Sequence, residues 1–366
     1  MSEIAALFLP RIGYGGITAN TLKLAKALKN KGYQIHVITT QIQRTYIQKK
    51  DLDFPIICLK ANRIITSLPY LISYLRKHRP AALISAHYYA NIIAVWAKAL
   101  ASVPTRLIIT ERSAPAVTLA SSGNLKDRFI PWIMQKSYPK ADAVVAVSKG
   151  TADNLSKLIK TPSHRVKVIY NPIFRDKISD KAREKIQHPW FGNDQLPVIL
   201  GMGYYIYQKD FSTLIRAFSV VRQEIPARLV IIGEGREQPR LEKLAQKLGI
   251  SKHVDLHPFV KNPYKYMAGA DLFALSSRFE GMPNVLVEAV AVGTPCVATD
   301  CPSGPNEILP PEALVPVEDF RKMAQKIITL LKNKNQASRI VMKAQQNLTH
   351  FDPDLWIQQY VQLIKP

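Results

Sequence analysis

The chain has 366 residues, too many for one ordinary doubly wound domain and enough for two of average size. Hydrophobic residues make up 47% of it, which supplies two real cores and excludes wholesale disorder. Three cysteines, Cys58, Cys296 and Cys301, without paired CxxC spacing exclude a disulfide framework and a structural zinc site. The formal net charge of +23 is concentrated in the first half, where residues 1–170 hold 25 Lys+Arg against 7 Asp+Glu; residues 171–366 hold 25 against 20. A basic surface attracts phosphate. No recognition helix, RNP stretch or zinc finger accompanies the charge, so no nucleic-acid partner is expected. The basic half reads either as a solvated face or, preferably, as a surface for an anionic membrane that carries a phosphate-bearing acceptor.

In chain order, the N-terminus carries Glu3 where a signal peptide would be positive, and its short apolar run flows into a glycine loop, so it reads as a first strand. No apolar stretch reaches the roughly 20 residues that span a bilayer. A reducing, cytoplasmic compartment follows, with peripheral attachment to the inner face of the membrane as an option. Strands are expected at 4–10, 34–40, 81–86, 106–111, 143–148 and 166–170. Helical stretches separate them, such as the one after the glycine loop, with Leu22, Ala25 and Leu28 on one face and Gly32 as its stop. Periodicity lapses over 171–195, which reads as a linker. Alternation restarts with strands at 197–203 and 227–233, a helix at 210–223 between them, and three later strands (HVDLHPF, ADLFALS, PCVAT). Three helical pieces close the chain, around 318–332, 335–348 and 353–364. The class is therefore α/β, two Rossmann-like doubly wound domains, with no short repeat of a solenoid.

Two turns carry the chemistry-bearing residues. The first follows strand one and reads Gly13-Tyr14-Gly15-Gly16; glycines there let backbone approach an anion at a helix start. The spacing is not G-x-G-x-x-G, and no acid follows in TTQIQRTY to serve a nicotinamide ribose. The second, at 276–288, reads SSRFEGMPNVLVE. Glu280 ends the strand region, Gly281 to Asn284 turn the chain into a helix with Pro283 near its start, and Glu288 falls about one turn in. That geometry places a diphosphate at the helix start and one glutamate each for sugar and ribose. A single acid near a helix start has a plain dipole explanation, but the whole string does not.

The stretch from Glu280 to Glu288 resembles the EX7E motif of retaining GT-B glycosyltransferases of the family 4, group 1 type. Supporting stretches occur in that family's order: GGIT…LAKALKNKGYQIHVIT, VIYNPI, QKDFSTLIRAF, LVIIGEG, HPFVKNPYKYMAGADLFALSSRFEGMPN and GTPCVATDCPSGPNEIL. The likeness covers nearly the whole chain and is denser after residue 165.

The resemblance implies two domains facing a central cleft: 1–170 for the acceptor, a linker at 171–195, 196–348 for the nucleotide sugar, and a terminal helix at 349–366 crossing back. It implies that Glu280 contacts the donor sugar and Glu288 the ribose. Lys209 would grip the diphosphate, with Met282, Asn284 and Val285 offering backbone amides. Phe259 and Val260 would border the base, and Gly15 and Gly16 would close over the phosphates. The donor would be a nucleotide sugar, UDP-linked before GDP-linked, and no metal or other cofactor is expected. The strings Asp51-Leu52-Asp53 and Asp352-Pro353-Asp354 read as loop or cap residues.

One departure concerns the arginine that the family sets five residues before the lysine, because Tyr204 stands there. Either another cation, Arg11 or Arg236, substitutes, or donor binding is weakened. The family's sugar-supporting histidine is also missing after RLIITE, so that role falls to Arg112 or is absent, and His87 is an alternative acceptor-side group or a structural residue. The stretch at 61–80 mixes apolar and basic residues, as a membrane-interface helix or a buried helix with a basic edge would. The implied reaction is sugar transfer with retention to a phosphate-bearing or lipid-linked glycan, in cell-envelope polysaccharide or glycolipid synthesis. The rivals are a sugar-nucleotide 2-epimerase and a non-catalytic binder of nucleotide sugars or polyanions.

Overall fold

The computed structural model describes residues 3–13, 15–43, 53–121, 125–192 and 196–365. Tyr14 of the glycine loop, the end of the TTQIQRTY stretch, Asp51 and Leu52 of the first acidic string and positions 193–195 of the expected linker lie outside them. The chain divides into two compact units, one of residues 1–171 with 353–366 and the other of residues 172–352.

The first unit runs β1 (Ile4–Ile12), α1 (Gly16–Asn30), β2 (Gln34–Ile42), β3 (Ile56–Cys58), α2 (Leu68–His78), β4 (Ala82–Ala86), α3 (Tyr88–Ala101), β5 (Arg106–Glu111), α4 (Pro115–Ser121), α5 (Ile130–Ser137), β6 (Ala143–Ala146), α6 (Lys149–Ile159) and β7 (Val166–Val168). Its strands pair in the order β3-β2-β1-β4-β5-β6-β7, all parallel. Helices cover both faces of a parallel sheet, which is why β1, β4 and β5 are continuous apolar runs instead of alternating ones. Phe8, Leu83, Leu107 and Ile109 from the sheet and Val95, Met134 and Tyr138 from the helical layer fill the core. In α1 the inward stripe is Thr21, Leu24, Ala25 and Leu28, so Leu24 takes the place expected of the half-buried Leu22. Gly32, at φ +91°, follows its end.

The second unit runs α7 (Arg175–Ala182), β8 (Val198–Met202), α8 (Phe211–Glu224), β9 (Arg228–Ile232), α9 (Gln238–Lys247), β10 (Val254–His257), α10 (Tyr264–Gly269), β11 (Leu272–Leu275), α11 (Asn284–Ala291), β12 (Cys296–Thr299), α12 (Pro305–Ile308), β13 (Leu314–Val315), α13 (Phe320–Lys332) and α14 (Lys334–Gln346). Its sheet order is β10-β9-β8-β11-β12-β13, again all parallel. The final helix, α15 (Pro353–Ile364), belongs to the first unit, where it buries Trp356, Tyr360 and Leu363. There Arg106 Nε donates to the Leu363 carbonyl at 2.6 Å.

The expected linker is different in the structure. Residues 175–182 form α7, which buries Ile178, and the segment that follows is tied to β10 through His188 and Asp255, so it is part of the second unit. Positions 347–351 are a 3-10 turn of the second unit, bonded back through Ile173 N–H to the Phe351 carbonyl, and the crossing segment starts at 353. Two edge strands, β3 and β13, escaped the sequence reading because three and two residues show no period.

In each sheet the strand order reverses once, between β1 and β4 and between β8 and β11. Ligand crevices of open parallel sheets form at the carboxyl ends of such a pair. Beside the first of these, β5 ends on Glu111, which is fully buried. Its Oε1 accepts from Asn91 Nδ2 at 2.9 Å and from the Tyr138 hydroxyl, while Oε2 has no partner. Burial pushes the Glu111 carboxyl up to about 7, although the Tyr138 and Asn91 bonds oppose the shift.

A carboxyl raised in the folded state keeps its proton while the unfolded chain loses its own, so stability falls as pH rises from the ordinary glutamate range toward 7. Thermal midpoints of the wild type should fall from pH 5 to pH 8, and Glu111→Gln should flatten that slope and gain stability at pH 8. Parallel profiles for the two proteins would refute the assignment.

Candidate active site

In the second unit the chain leaves β8 through Gly203 and a 3-10 turn, Tyr207–Lys209, before entering α8. It leaves β11 through residues 276–283 before entering α11. These turns stand on the two strands that flank the order reversal, and the structure brings Lys209 and Glu280 together there. Lys209 Nζ lies 2.6 Å from Glu280 Oε1, with the side chains only 16% and 7% exposed. The same oxygen accepts from Ser277 Oγ at 2.7 Å, and Gln208 Nε2 sits 3.5 Å from Oε2 while donating to the Phe279 carbonyl at 3.0 Å.

The surroundings hold this pair in place. Ser276 Oγ donates to the Lys209 carbonyl at 2.9 Å, and Arg278 N–H donates to the Gln208 carbonyl at 2.8 Å. The Arg278 guanidinium lies 4.3 Å over the Tyr207 ring, pairs with Asp210 at 3.2 Å and also reaches Glu318. A side chain at Gly203, φ +147°, would crowd the stem of Lys209 at 3.2 Å. On the other side, Gly304 has φ +94° and its missing Cβ would meet Pro283 Cδ at 2.5 Å, so glycine alone lets the next loop seat under the Gly281–Pro283 turn. The buried Cys301 thiol is pushed up to about 12 by burial, with the Glu280 charge adding to it, and stays a neutral neighbour.

Helix α11 begins at Asn284, directly after Pro283. The N–H groups of Leu286 and Val287 turn back onto the Pro283 carbonyl, and the positive end of the helix, whose first residues are Asn284 and Val285, adjoins the turn that carries Met282. Glu288 stands one turn further in, half-buried, with the Tyr264 phenol of α10 hydrogen-bonded to its carboxylate. Burial first, then the Glu288 charge and bond, hold that phenol well above its ordinary range. Tyr204, in the position where the resemblance implies an arginine, packs its ring edge-to-face on Phe259, centroids 5.1 Å apart at 81°. Tyr204 follows β8, while Phe259 and the half-buried Val260 follow β10.

In the first unit, Gly15, His87 and Arg112 follow the adjacent strands β1, β4 and β5 at their carboxyl ends. Gly15, at φ +126°, caps α1, and Gly16 opens it, exposed. His87 caps α3 in a left-handed conformation at φ +92°, accepting from Tyr89 N–H at 3.4 Å and stacking on Tyr88 at 4.3 Å. Burial pulls its imidazole down to about 4, so it is neutral at physiological pH. Arg112 Nη1 donates to Asn171 Oδ1 at 2.7 Å, while its buried Nε has no partner. Of the acidic strings, Asp53 pairs with Lys29 at 3.2 Å and Asp354 sits in the first turn of α15.

Sequence reasoning missed Ser277, Gln208 and Tyr264. Ser277 was in principle legible, three residues before Glu280 in the same turn; Tyr264 was not, because it reaches Glu288 from another helix. It also missed His188, Asp255 and His257, whose ligand-type atoms lie within 4.8 Å of one another. Trp190 N–H donates to His188 Nδ1 at 3.1 Å, so Nε2 carries the proton that it points at Asp255, 2.9 Å away. A metal ion would have to displace that proton. The cluster is a hydrogen-bonded strap onto β10.

Two family profiles match the chain: Glycosyltransferase Family 4 over residues 14–177 and Glycosyl transferases group 1 over residues 182–347. A Campylobacter jejuni protein, N-acetylgalactosamine-N,N'-diacetylbacillosaminyl-diphospho-undecaprenol 4-alpha-N-acetylgalactosaminyltransferase, is 30% identical over 306 residues, covering 83% of this chain and 78% of that protein. The Bacillus anthracis N-acetyl-alpha-D-glucosaminyl L-malate synthase is 22% identical, covering 94% and 92%. Among solved structures, Anabaena HepE in complex with UDP superposes with a TM-score of 0.81 at 18% identity, covering 98% of each chain. The sucrose-phosphate synthase of Thermosynechococcus elongatus gives 0.82 at 19%, covering 99% and 98%. Two parallel-sheet Rossmann-like units, the profiles and the Campylobacter relative agree: the chain belongs to the family 4, group 1 glycosyltransferases of the GT-B fold.

Proposed function

We propose that this glycosyltransferase takes a sugar from a nucleotide donor, UDP-linked, and passes it with retention to a phosphate-bearing or lipid-linked glycan. The work would be cell-envelope polysaccharide or glycolipid assembly at the cytoplasmic face of a membrane. The observation that carries the reading is the buried Lys209–Glu280 pair beside the start of α11, at the order reversal of the second sheet. A leaving nucleoside diphosphate accumulates negative charge, and an ammonium and a helix N-terminus held in a dry turn stabilise it. When phosphate oxygens take over Lys209, Glu280 is released to accept a hydroxyl of the donor sugar. Glu288, steadied by Tyr264, faces the ribose, and Phe259 and Val260 border the base. Met282, Asn284 and Val285 contribute amides, Gly15 and Gly16 close over the phosphates, and Arg112 supports the sugar. His87, neutral, serves the acceptor as a hydrogen-bond partner.

The uridine preference is supported by HepE structures with UDP and UDP-glucose, and the lipid-linked acceptor by the diphospho-undecaprenol in the Campylobacter relative's name. Metal-free chemistry is proposed because the cation at the leaving group is already supplied by Lys209. Same-face attack assisted by the departing phosphate accounts for retention without a second flanking carboxylate. Among the described residues no helix is long and apolar enough to cross a membrane, which is consistent with peripheral attachment. Tyr204, engaged with Phe259, favours a second reading of a weak or non-catalytic nucleotide-sugar binder.

A thermal-shift panel of UDP-, GDP- and ADP-sugars separates these readings. A donor at 100 times its dissociation constant stabilises by about 2.7 kcal/mol. UDP-sugars alone should raise the midpoint, and Glu288→Ala should lose the rise; no shift with any donor would sink the donor site. The anomeric configuration of the product, read by NMR, tests retention directly.

The ion pair yields a stability prediction. Lys209→Ala should cost about 3–5 kcal/mol in urea unfolding, since it strands a buried carboxylate. Adding Glu280→Gln should recover most of that loss, and simply additive losses would show that the two do not act as a pair. Turnover with Lys209→Ala should fall by about 10²–10³.

A further inference from the structure

The first unit exposes an aromatic pair that neither the core nor the candidate site uses. Helix α5 buries Ile130, Met134 and Ser137 on one face. On the opposite face Trp132 is 61% exposed, and Phe129, the residue before the helix, is 69% exposed. They are the two most exposed large hydrophobic side chains among the described residues. Phe129, Trp132 and Lys136 stand at i, i+3 and i+7, which is one stripe of a helix. Arg128, Lys136 and Lys140 are all exposed around them. The one acid between 125 and 140, Asp127, is buried, with the Tyr89 hydroxyl donating to it.

The stretch 61–80, read as either a membrane-interface helix or a buried helix with a basic edge, is the second of these and has no such face. Its helical part, α2, turns Leu71, Tyr74 and Leu75 into the core, and of its apolar residues Ile65 and Tyr70 stay exposed at separate points.

We infer that the stripe Phe129–Trp132–Lys136, flanked by Arg128 and Lys140, docks this protein on an anionic phospholipid surface. Aromatic rings settle at the boundary between headgroups and acyl chains, where the indole keeps its N–H wet, and lysine and arginine heads stay among lipid phosphates. Charge chooses between occupants. A second copy packed two-fold on the same stripe would set Arg128, Lys136 and Lys140 against their own duplicates, whereas an anionic bilayer neutralises all three. The proposal rests on the lipid-linked acceptor reading for its purpose, because a membrane-held acceptor calls for a membrane-held enzyme.

The test is flotation of the full chain with phosphatidylcholine vesicles and with phosphatidylcholine–phosphatidylglycerol vesicles, with tryptophan emission read in parallel. The wild type should float with the anionic vesicles alone and its emission should move to the blue. Trp132→Phe should keep most of the binding and lose the emission shift. Phe129→Ala with Trp132→Ala should weaken binding at least about tenfold, and Lys136→Ala about fivefold. Unchanged thermal midpoints and donor shifts in these variants would show that the fold and the donor site are intact.

No flotation, flotation unaffected by the aromatic pair, equal binding to single-stranded DNA that depends on the same residues, or a dimer that these substitutions dissociate would each overturn the proposal. Vesicle binding that follows the stripe, combined with no transfer to any lipid-linked acceptor, would uphold the docking surface and defeat the acceptor reading instead.

Discussion

Burying a carboxylate at the end of a parallel strand costs several kcal/mol unless a cation and hydrogen bonds meet it there, and the second unit is arranged around that requirement. Glu280 lies in the turn after β11, and the partner that compensates it comes from the turn after β8, 71 residues earlier in the chain. To deliver Lys209, the backbone passes through a left-handed residue at Asp210, φ +44°, whose carboxylate bonds Thr213 at 2.7 Å and Arg278 at 3.2 Å. Gly203 is bare where the lysine stem passes, and Ser276 and Arg278 hold the lysine turn by its carbonyls. The consequence is a preorganised turn: an ammonium is held next to a helix start, its charge balanced by Glu280. Each charge of the pair is thereby compensated inside the buried turn.

The first unit meets a similar requirement by another route. Glu111 ends β5 with no cation bonded to it, and two neutral donors, Tyr138 and Asn91, share one of its oxygens. Burial then drives the carboxyl toward its neutral form. The guanidinium next in sequence, Arg112, turns instead to Asn171. A buried acid can therefore be kept by pairing or by protonation, and the choice rests on whether a neighbouring strand end supplies a cation. The paired acid ties the turns after β8 and β11 to each other. The acid pushed toward neutrality is suited to fastening α3 and the Tyr138 turn to the sheet.

The Tyr204 substitution shows how one residue changes a site without changing the fold. An arginine there would bring a second cation to the turn after β8. The phenol brings none, and its ring is engaged edge-on with Phe259. The turn after β8 thus carries Lys209 as its buried cation and, at Tyr204, an aromatic edge shared with the segment after β10.

Much of this protein was legible in the chain alone. Strands covered on both faces read as continuous apolar runs, so β1, β2, β4, β5 and β8 announce themselves, and their alternation with helices fixes a doubly wound class. The string from Ser276 to Glu288 marked the candidate site because strand end, turn, helix start and acid are set by local spacing. What depended on long-range contact was not legible. The expected linker became α7 and a strap because His188 found Asp255, 67 residues away. Edge strands β3 and β13 exist only through their partners β2 and β12. That Glu280 is held by Lys209, that Tyr264 reaches Glu288, and that Phe129 and Trp132 face away from the core are facts of packing. Sequence sets which residues can form an element and where a turn must fall, since both are decided within a few residues. Only the folded chain decides which charges are buried together, because a desolvated acid takes whatever donor the neighbouring strand end brings to it.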